Sequence, residues 1–504
     1  MMGLLSIIPV DLLKEAGTFI FGPENLALIL LITIIGIILG AIPGVGQTLA
    51  LALFFPFTLT MGSERALMLL AVLYGATTYG GAISAILIRV PGSSTSMASI
   101  LDGYPMTQNG ESARAIGIST VASFIGAIVG LIVLMLVSPS LARFAATLAS
   151  HEIFWLTVIG FATVSSIVQG SIMKSIVGLS LGVVFATVGP DPILAVPRFT
   201  FDTYYLQGGI NLIVLFVGIF SIPQAIDLVN QSAISDESEM SGQLRTGISE
   251  VLSKPIKTLR GGLIGTLVGA VPGVGGTAAN FLSYLTAMKT SKNSDKFGEG
   301  APEGLIASES ANNGAAMGTL VPAISLAIPG SATAAIFIGA MIAHGITPGI
   351  QAFEGSLPYI IYMSIFLGAV LFLVLGLFGG PYFAKVAKLP NDAMIVGIIV
   401  FSLAGSFAVR NNFLDIMLAI SIGFIGYLMM ENGYSVVTFV IGYVLSPISE
   451  GAILRALRSS GGDFTVLWST PTSIILIILS VVILLAPFIS KIILVGKGLI
   501  TGEK

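Results

Sequence analysis

The stretch that decides the fold is GIILGAIPGVG at residues 36–46, because it returns almost unchanged as GTLVGAVPGVG at residues 265–275. A second pair follows in the same order, with VPGSST at residues 90–95 matched by IPGSAT at residues 328–333. Both motifs therefore recur at nearly the same separation along the chain. Two matched motifs in a fixed order at nearly constant spacing indicate an internal duplication.

Each of these motifs places proline and glycine inside an apolar run. Proline breaks a helix and glycine permits unusual backbone angles. Inside a bilayer, broken backbone survives only where protein or a water-filled cavity satisfies it. We therefore predict two re-entrant helical hairpins, with tips at residues 43–46 and 272–275, and two broken transmembrane helices, at residues 90–96 and 328–333. A simple helix kink is the alternative for each motif, and the duplication weakens it.

The composition is that of a protein surrounded by lipid. Of the 504 residues, 55% are apolar and only 9% are charged, whereas soluble proteins carry roughly 25% charged residues. We predict an all-α, polytopic membrane protein with about 10–14 membrane-inserted segments, some of half length. The net charge of −3 and the lack of a basic run exclude a nucleic-acid partner. The absence of cysteine excludes thiolate chemistry, and no Walker A pattern is present.

The duplication and the polarity pattern divide the chain into five parts. They are an N-terminal interfacial segment (1–24), a first repeat (25–229), a polar cytoplasmic linker (230–257), a second repeat (258–472), and a C-terminal transmembrane helix with its tail (473–504).

Basic residues indicate how the two repeats are oriented, because they mark the cytoplasmic ends of membrane segments. The first PGVG motif is preceded by Glu24 and by no base. Six bases flank the second motif: Lys254, Lys257, Arg260, Lys289, Lys292 and Lys296. The motifs are therefore expected to enter from opposite faces, as inverted repeats. Secondary transporters often use this plan and bind their substrates at the midplane between the repeats.

The broken segments predict a site for a small carboxylate. Free N–H groups and the positive end of the helix dipole attract anions, and hydroxyl or amide groups donate hydrogen bonds to carboxylates. The predicted substrate-binding residues are Gly44, Gly46, Gln47, Arg89, Gly92, Ser93, Ser94, Thr95, Gly273, Gly275, Asn312, Asn313, Gly330, Ser331 and Thr333. For Arg89 two interpretations stay open, a bidentate pair with a carboxylate or a side chain that reaches to the membrane interface.

A coupling-ion site is predicted around Glu309, because ionisable residues inside membranes are costly and usually functional. The residues assigned to it are Thr77, Thr78, Glu309, Ser310 and Asn313. A glutamate at the membrane edge is the alternative. No cofactor is predicted beyond a coupling ion, Na⁺ or H⁺. The sequence Asp102-Gly103-Tyr104-Pro105 predicts a tight turn in which Asp102 acts as a cap.

Taken together, these residues resemble the large membrane subunit of the tripartite tricarboxylate transporters, the TctA-type family. The resemblance covers residues 20–440 and rests on PGVG at 43–46, YGG at 79–81, VPG at 90–92, DGYPM at 102–106, ESANNGAA at 309–316 and IPGSAT at 328–333. Arg89 departs from the family pattern, which has a neutral polar residue there, and this leaves the substrate's charge and the coupling open.

The resemblance implies a multi-pass permease of the bacterial or archaeal inner membrane that is not an enzyme. It implies a small TctB-type membrane subunit and an extracytoplasmic TctC-type solute-binding protein as partners. It also implies ion-gradient-driven uptake of citrate or other carboxylates, and analogy favours an elevator-type movement. The rival functions are an ion channel, which needs a symmetric filter, and a membrane-embedded enzyme, which needs clustered Asp, His or Glu at a membrane face.

Overall fold

The computed structural model describes residues 10–167, 172–230, 243–272, 275–386 and 390–485, and most of this sequence is helical. The helices are α1 (Val10–Ile20), α2 (Pro23–Ala41), α3 (Gly46–Thr58), α4 (Ser63–Ile88), α5 (Met97–Gln108), α6 (Ser112–Ala146), α7 (Ser150–Ile167), α8 (Ile172–Ala186), α9 (Leu212–Asn230), α10 (Leu244–Leu252), α11 (Pro255–Gly269), α12 (Gly275–Thr290), α13 (Pro302–Leu326), α14 (Ala332–Ala343), α15 (Leu357–Val386), α16 (Asn391–Arg410), α17 (Phe413–Glu431), α18 (Val436–Ser459) and α19 (Pro471–Leu485). Two short strands, β1 (Gly189–Pro190) and β2 (Pro197–Arg198), pair antiparallel.

The described helices confirm an all-helical, multi-pass membrane protein. Eight of them are long and apolar enough to cross a bilayer, namely α2, α4, α6, α9, α15, α16, α17 and α18. Four more, α3, α8, α14 and α19, are apolar but shorter, at 10–17 residues. Since a crossing needs about 20 residues, α3 and α14, whose ends are both described, have the length of the predicted half-length segments. Both α8 and α19 adjoin residues outside the described ranges.

The chain forms two compact units. The first takes its described residues from Met1–Arg143, Leu212–Val271 and Gly275–Tyr427, and the second from Phe144–Asn211, Pro272–Val274 and Leu428–Lys504. Each predicted repeat contributes to both units. Residues 231–242 of the predicted linker lie outside the described residues, as does the predicted tail from residue 486 onward.

The second unit is built on a close crossing of α8 and α18. A Cβ on Gly182 of α8 would overlap the carbonyl oxygen of Phe439, and one on Gly442 of α18 would overlap that of Leu179. Only glycine allows the two backbones to approach this closely, as is common where membrane helices pack.

In the first unit, the two repeats pack in the same way. A Cβ on Gly40 of α2 would overlap the carbonyl oxygen of Thr77, and one on Gly269 of α11 would lie 2.6 Å from that of Ala315. Aligning the two PGVG motifs pairs Gly40 with Gly269, and aligning the two Pro-Gly-Ser motifs pairs Thr77 with Ala315. The first arm of each hairpin therefore packs on the long helix of its own repeat through equivalent residues.

The broken helices are also equivalent. The long helices α4 and α13 each end at a non-glycine residue in the left-handed region, Arg89 at φ 59° and Ala327 at φ 58°. After each break comes a helix of 12 residues, α5 or α14. Left-handed backbone is unfavourable for residues with a Cβ, so its presence at matched positions indicates that both repeats end the long helix in the same way.

An aromatic contact anchors the long helix of the first repeat. The ring of Tyr79 on α4 stacks on Phe372 of α15, with ring centroids 5.0 Å apart. The Tyr79 hydroxyl lies 2.8 Å from the Thr120 hydroxyl of α6. Because both rings are fully buried, α4 is held on this side by apolar packing together with a satisfied polar group.

Candidate functional site

The first hairpin tip lies between the end of α2 at Ala41 and the start of α3 at Gly46. Gly44 and Gly46 have φ values of 77° and 54°, which glycine adopts without strain. Gly44 is exposed and Gln47 is buried. No side chain caps the N-terminus of α3, so the first N–H groups of this helix are free to meet a ligand.

The second tip lies between the end of α11 and the start of α12 at Gly275, which has φ 73°. It therefore has a left-handed glycine where the first tip has Gly46. Gly273, one of the predicted site residues, lies outside the described residues. The next residue of α12, Gly276, is buried.

The first break runs from Arg89 to a short 3₁₀ turn at Ser94–Ser96. The Gly92 amide donates to the carbonyl of Gly81 at 3.2 Å, which holds the break against α4. The Ser93 hydroxyl lies 2.9 Å from that of Thr95, whereas Ser94 is exposed. Two of the three predicted hydroxyl residues therefore form one cluster.

At the second break, Ser331 caps the helix that follows. Its hydroxyl accepts the Ala334 amide at 3.1 Å, which is a typical N-cap contact for α14. The same hydroxyl lies 3.4 Å from the hydroxyl of Tyr74 on α4. The second break thus contacts the long helix of the first repeat.

The hairpin of each repeat contacts the break of the other. The hydroxyls of Thr48 on α3 and Thr333 on α14 lie 2.8 Å apart. In the reciprocal pair, the Asn280 amide on α12 donates to the carbonyl of Thr95, and a Cβ on Gly276 would lie 2.8 Å from the Thr95 side chain. A Cβ on Gly46 would also lie 3.0 Å from the carbonyl oxygen of Gly92. The N-terminal parts of α3, α12 and α14 and the 3₁₀ turn before α5 therefore lie near one another.

The amides Asn312 and Asn313 lie where the two long helices cross. Their Nδ2 atoms donate to the carbonyls of Thr78 and Gly75 on α4, each at 3.4 Å. The hydroxyls of Thr77 and Thr78 donate within α4, to the carbonyls of Leu73 and Tyr74, each at 2.7 Å. Of the predicted coupling-ion residues, Asn313, Thr77 and Thr78 thus belong to one region.

Glu309 forms a separate cluster with hydroxyl groups. Its side chain is fully buried, and its Oε2 accepts hydrogen bonds from Ser119 at 3.0 Å and Ser123 at 2.9 Å. Ser99 on α5 donates to Oε1. This burial places the carboxylate among packed helices, and the alternative of a glutamate at the membrane edge stays open. Ser310 is not part of the cluster, because its hydroxyl donates to the Ile306 carbonyl and packs on Gly261 of α11.

Arg89 is exposed, and its guanidinium carbon lies 5.7 Å from the centre of the Tyr104 ring. This is a cation–π contact at the end of the break. Its assignment to substrate binding stays a prediction.

The prediction of a tight turn at residues 102–105 is wrong, because these residues lie inside α5. The carboxylate of Asp102 instead acts across the repeats, since its Oδ1 accepts the backbone amides of Gly298, Gly300 and Ala301 at 2.8–3.0 Å. Ala301 is the N-cap of α13. Asp102 therefore does not cap a local turn; it fixes the segment that leads into α13, and this tertiary contact outweighs the local turn signal.

Several buried amide oxygens near these contacts have no hydrogen-bond partner among the described residues. They belong to Gln47, Asn280, Asn312 and Asn313. Each side chain is at most 7% exposed. Leaving such a group unpaired costs about 1–3 kcal/mol, so these atoms are available to a ligand that brings a donor or a positive charge.

The sequence did not single out several residues of this region. Ser119 and Ser123 are separated by one turn of helix and so share one face of α6, which was a usable signal. Tyr74 could also have been found from the sequence, since aligning the two Pro-Gly-Ser motifs pairs it with the predicted site residue Asn312. Asn280 carried no signal, because aligning the two PGVG motifs pairs it with the apolar Leu51.

Hairpins and broken helices that meet in this way are features with which membrane transporters build their binding sites. The comparisons with known proteins agree. The chain belongs to the Tripartite tricarboxylate transporter TctA family, whose model matches residues 26–441. This is a family of transporter permeases.

Two relatives come from Agrobacterium vitis. The "Uncharacterized 52.8 kDa protein in TAR-I ttuC' 3'region" is 31% identical over 459 residues, which cover 89% of this chain and 90% of the relative. The "Uncharacterized protein in TAR-II ttuC' 3'region" is 34% identical over 209 residues, which cover 41% of this chain and 86% of the relative. No solved structure matches the chain significantly.

Proposed function

We propose that this chain is the permease subunit of an ion-gradient-driven importer of small carboxylates in the inner membrane. It works with a small TctB-type membrane subunit and an extracytoplasmic TctC-type solute-binding protein. The observation that carries the proposal is the reciprocal contact of Thr48 with Thr333 and of Asn280 with Thr95, which gathers the N-terminal parts of three helices and the 3₁₀ turn before a fourth in one unit.

The gathered N-termini favour an anion. Each helix N-terminus carries roughly half a positive charge, and the first turn of α3 has no side-chain cap. The hydroxyls of Ser93, Thr95 and Thr333 add donors that suit a carboxylate. A carboxylate is therefore held by dipoles and neutral donors, which attract it without the strong binding that would prevent release.

The unpaired amide oxygens favour a cation or a hydroxyl group beside the carboxylate. A carboxylate has no donors, so it cannot satisfy the oxygens of Gln47, Asn280, Asn312 and Asn313. A Na⁺ ion accepts such neutral oxygens as ligands, and a substrate hydroxyl can donate to them. This second requirement supports binding of the carboxylate together with a coupling cation, or of a hydroxycarboxylate.

Glu309 is the proposed site of a coupling proton or a second cation contact. A charged carboxylate in the bilayer interior is costly, and here the three hydroxyls of Ser99, Ser119 and Ser123 partly compensate. Neutralisation of Glu309 by an ion from outside, followed by its release inside, would link transport to the gradient.

An inverted arrangement of the repeats is part of the proposal. Along α4 and α13 the contacts run in opposite order, with Tyr74 beside Thr319 and, further along α4, Thr78 beside Asn312 nearer the start of α13. Helices that cross in this antiparallel sense support an inverted repeat. We propose an elevator-type movement in which the paired hairpins and breaks carry the substrate.

The test of the proposed function is uptake in proteoliposomes that contain this chain, the small subunit and the solute-binding protein. We expect saturable uptake of labelled carboxylate that needs a Na⁺ or H⁺ gradient and stops when the binding protein is omitted. Ohmic flux without saturation would indicate a channel. Absence of uptake for every carboxylate and hydroxycarboxylate tried would reject the proposal.

A variant of Gln47 tests whether the unpaired oxygens bind a ligand. If they do not, Gln47→Met removes an unsatisfied buried group, so it should leave transport unchanged and maintain or raise thermal stability. If they do, we expect uptake to fall by about tenfold or more, again without loss of stability. Gln351→Met is the matched control, because Gln351 is exposed. Equal transport by both variants would remove Gln47 from the site.

A further inference from the structure

Tyr74 of the first repeat bridges the break of the second repeat. The side chain is on α4 and is 1% exposed. Its hydroxyl lies 2.8 Å from that of Thr319, which is in α13 before the break, and 3.4 Å from that of Ser331, which precedes α14 after the break. A single side chain therefore connects the two ends of the break.

The partners of these hydroxyls determine the direction of the hydrogen bonds. Thr319 donates its one proton to the Ala316 carbonyl at 2.9 Å, so Tyr74 must donate to Thr319. Tyr74 then has no proton for Ser331, and Ser331 donates to the Tyr74 oxygen. Ser331 thus stands at the start of a chain in which each hydroxyl donates to the next. At 3.4 Å its bond to Tyr74 is long and weak, so a better acceptor replaces Tyr74 at little cost.

The break of the first repeat has no such chain. Aligning the two Pro-Gly-Ser motifs pairs Tyr74 with Asn312 and Thr319 with Gly81, so the first repeat has neither hydroxyl of the bridge at the matched positions. Ser93, the counterpart of Ser331, bonds instead to hydroxyls two and three residues further along the chain. The two breaks therefore differ in the hydrogen-bond donor that they offer.

We infer that one carboxylate group of the substrate binds the hydroxyl of Ser331 at the second break, an assignment that rests on the proposed carboxylate transport. Tyr74 is the positioning residue for that hydroxyl. Ser331 is half-buried and Tyr74 is fully buried, so Tyr74 acts through Ser331. A carboxylate is a charged acceptor and binds the Ser331 proton more strongly than a phenol oxygen does. Tyr74 keeps its bond to Thr319, so its own proton has an acceptor whether or not the substrate is bound.

Tyr74→Phe tests this role against Tyr79→Phe, because both tyrosines are on α4, are at most 1% exposed and have a hydroxyl 2.8 Å from a threonine hydroxyl. Both changes should therefore lower thermal stability to a similar degree. Binding of labelled citrate, malate and succinate is measured on the purified full-length chain by scintillation proximity. For a probe that the unmodified chain binds, Tyr74→Phe should weaken binding by about three- to tenfold, whereas Tyr79→Phe should leave it unchanged.

A second set of variants tests whether Tyr74 acts through Ser331. Ser331→Ala alone should weaken binding by about tenfold, because a hydrogen bond to a charged group is lost. Tyr74→Phe should have no further effect in Ser331→Ala but should keep its full effect in Ser93→Ala.

Equal binding by Tyr74→Phe and Tyr79→Phe would overturn the inference, as would unchanged binding by Ser331→Ala or additive effects of Tyr74→Phe and Ser331→Ala. Failure of the unmodified chain to bind any of the three probes would instead overturn the proposed function, and the assignment of Tyr74 with it.

Discussion

Replacing Gly92 by alanine is expected to impair transport far more than the same change at its repeat counterpart, Gly330. A Cβ at position 92 would overlap the carbonyl oxygen of Gly40 and lie 2.7 Å from the Cα of Gly81. A Cβ at position 330 would lie 3.0 Å from the carbonyl oxygen of Gly269. The two repeats therefore tolerate a methyl group differently at equivalent positions.

The magnitude follows from how far the backbone must retreat. Ordinary carbon contacts begin at about 3.5 Å, so Gly92→Ala requires the break and α2 to separate by about 1 Å. Gly330→Ala requires only a few tenths of an ångström. Overpacking of the first kind costs about 1–3 kcal/mol. If this strain acts on the loaded state, uptake falls by about 5- to 150-fold for Gly92→Ala, and by no more than about threefold for Gly330→Ala.

The assay is the initial rate of carboxylate uptake in proteoliposomes, normalised to inserted protein and accompanied by a thermal-unfolding measurement. Gly397→Ala is the control, because Gly397 lies within α16 and a Cβ there would meet nothing within 4 Å. Transport by Gly92→Ala at the rate of the Gly397→Ala control would refute the reasoning. Equal impairment by the changes at positions 92 and 330 would also do so.

Three further changes have defined outcomes. Glu309→Gln keeps the size of the side chain and one of its two acceptor oxygens but carries no charge, so gradient-driven accumulation should fall at least about tenfold while carboxylate exchange persists in counterflow. Loss of both activities, or of neither, would contradict this. Thr48→Val and Thr333→Val, made singly and together, should give a coupling free energy of about 1 kcal/mol for unfolding, measured by thermal denaturation. Additive effects of the two changes would show that the hydrogen bond between these hydroxyls does not contribute to stability. Ala327→Gly relieves a left-handed residue and should stabilise the protein by about 1 kcal/mol. An unchanged or lower melting temperature would show that this backbone is not strained.

The sequence alone determined the class of the molecule. A chain that is 55% apolar and 9% charged can only present most of its surface to lipid. The recurrence of PGVG and of the Pro-Gly-Ser break required two equivalent halves, and the structure repeats the same glycine contacts in each. These features can be inferred from the sequence because the breaking of a helix and the length of an apolar segment depend only on residues that are close together in the chain.

Which side chains meet was decided by the tertiary structure. The pairing of Thr48 with Thr333, the hydroxyls around Glu309 and the action of Asp102 on residues 298–301 all join positions that are far apart in the chain. Periodicity and propensity act over a few turns of helix, so they carry no information about such pairs. The local signal at Asp102 even pointed to a turn, and it was overridden because three backbone amides of the other repeat gain their acceptor there.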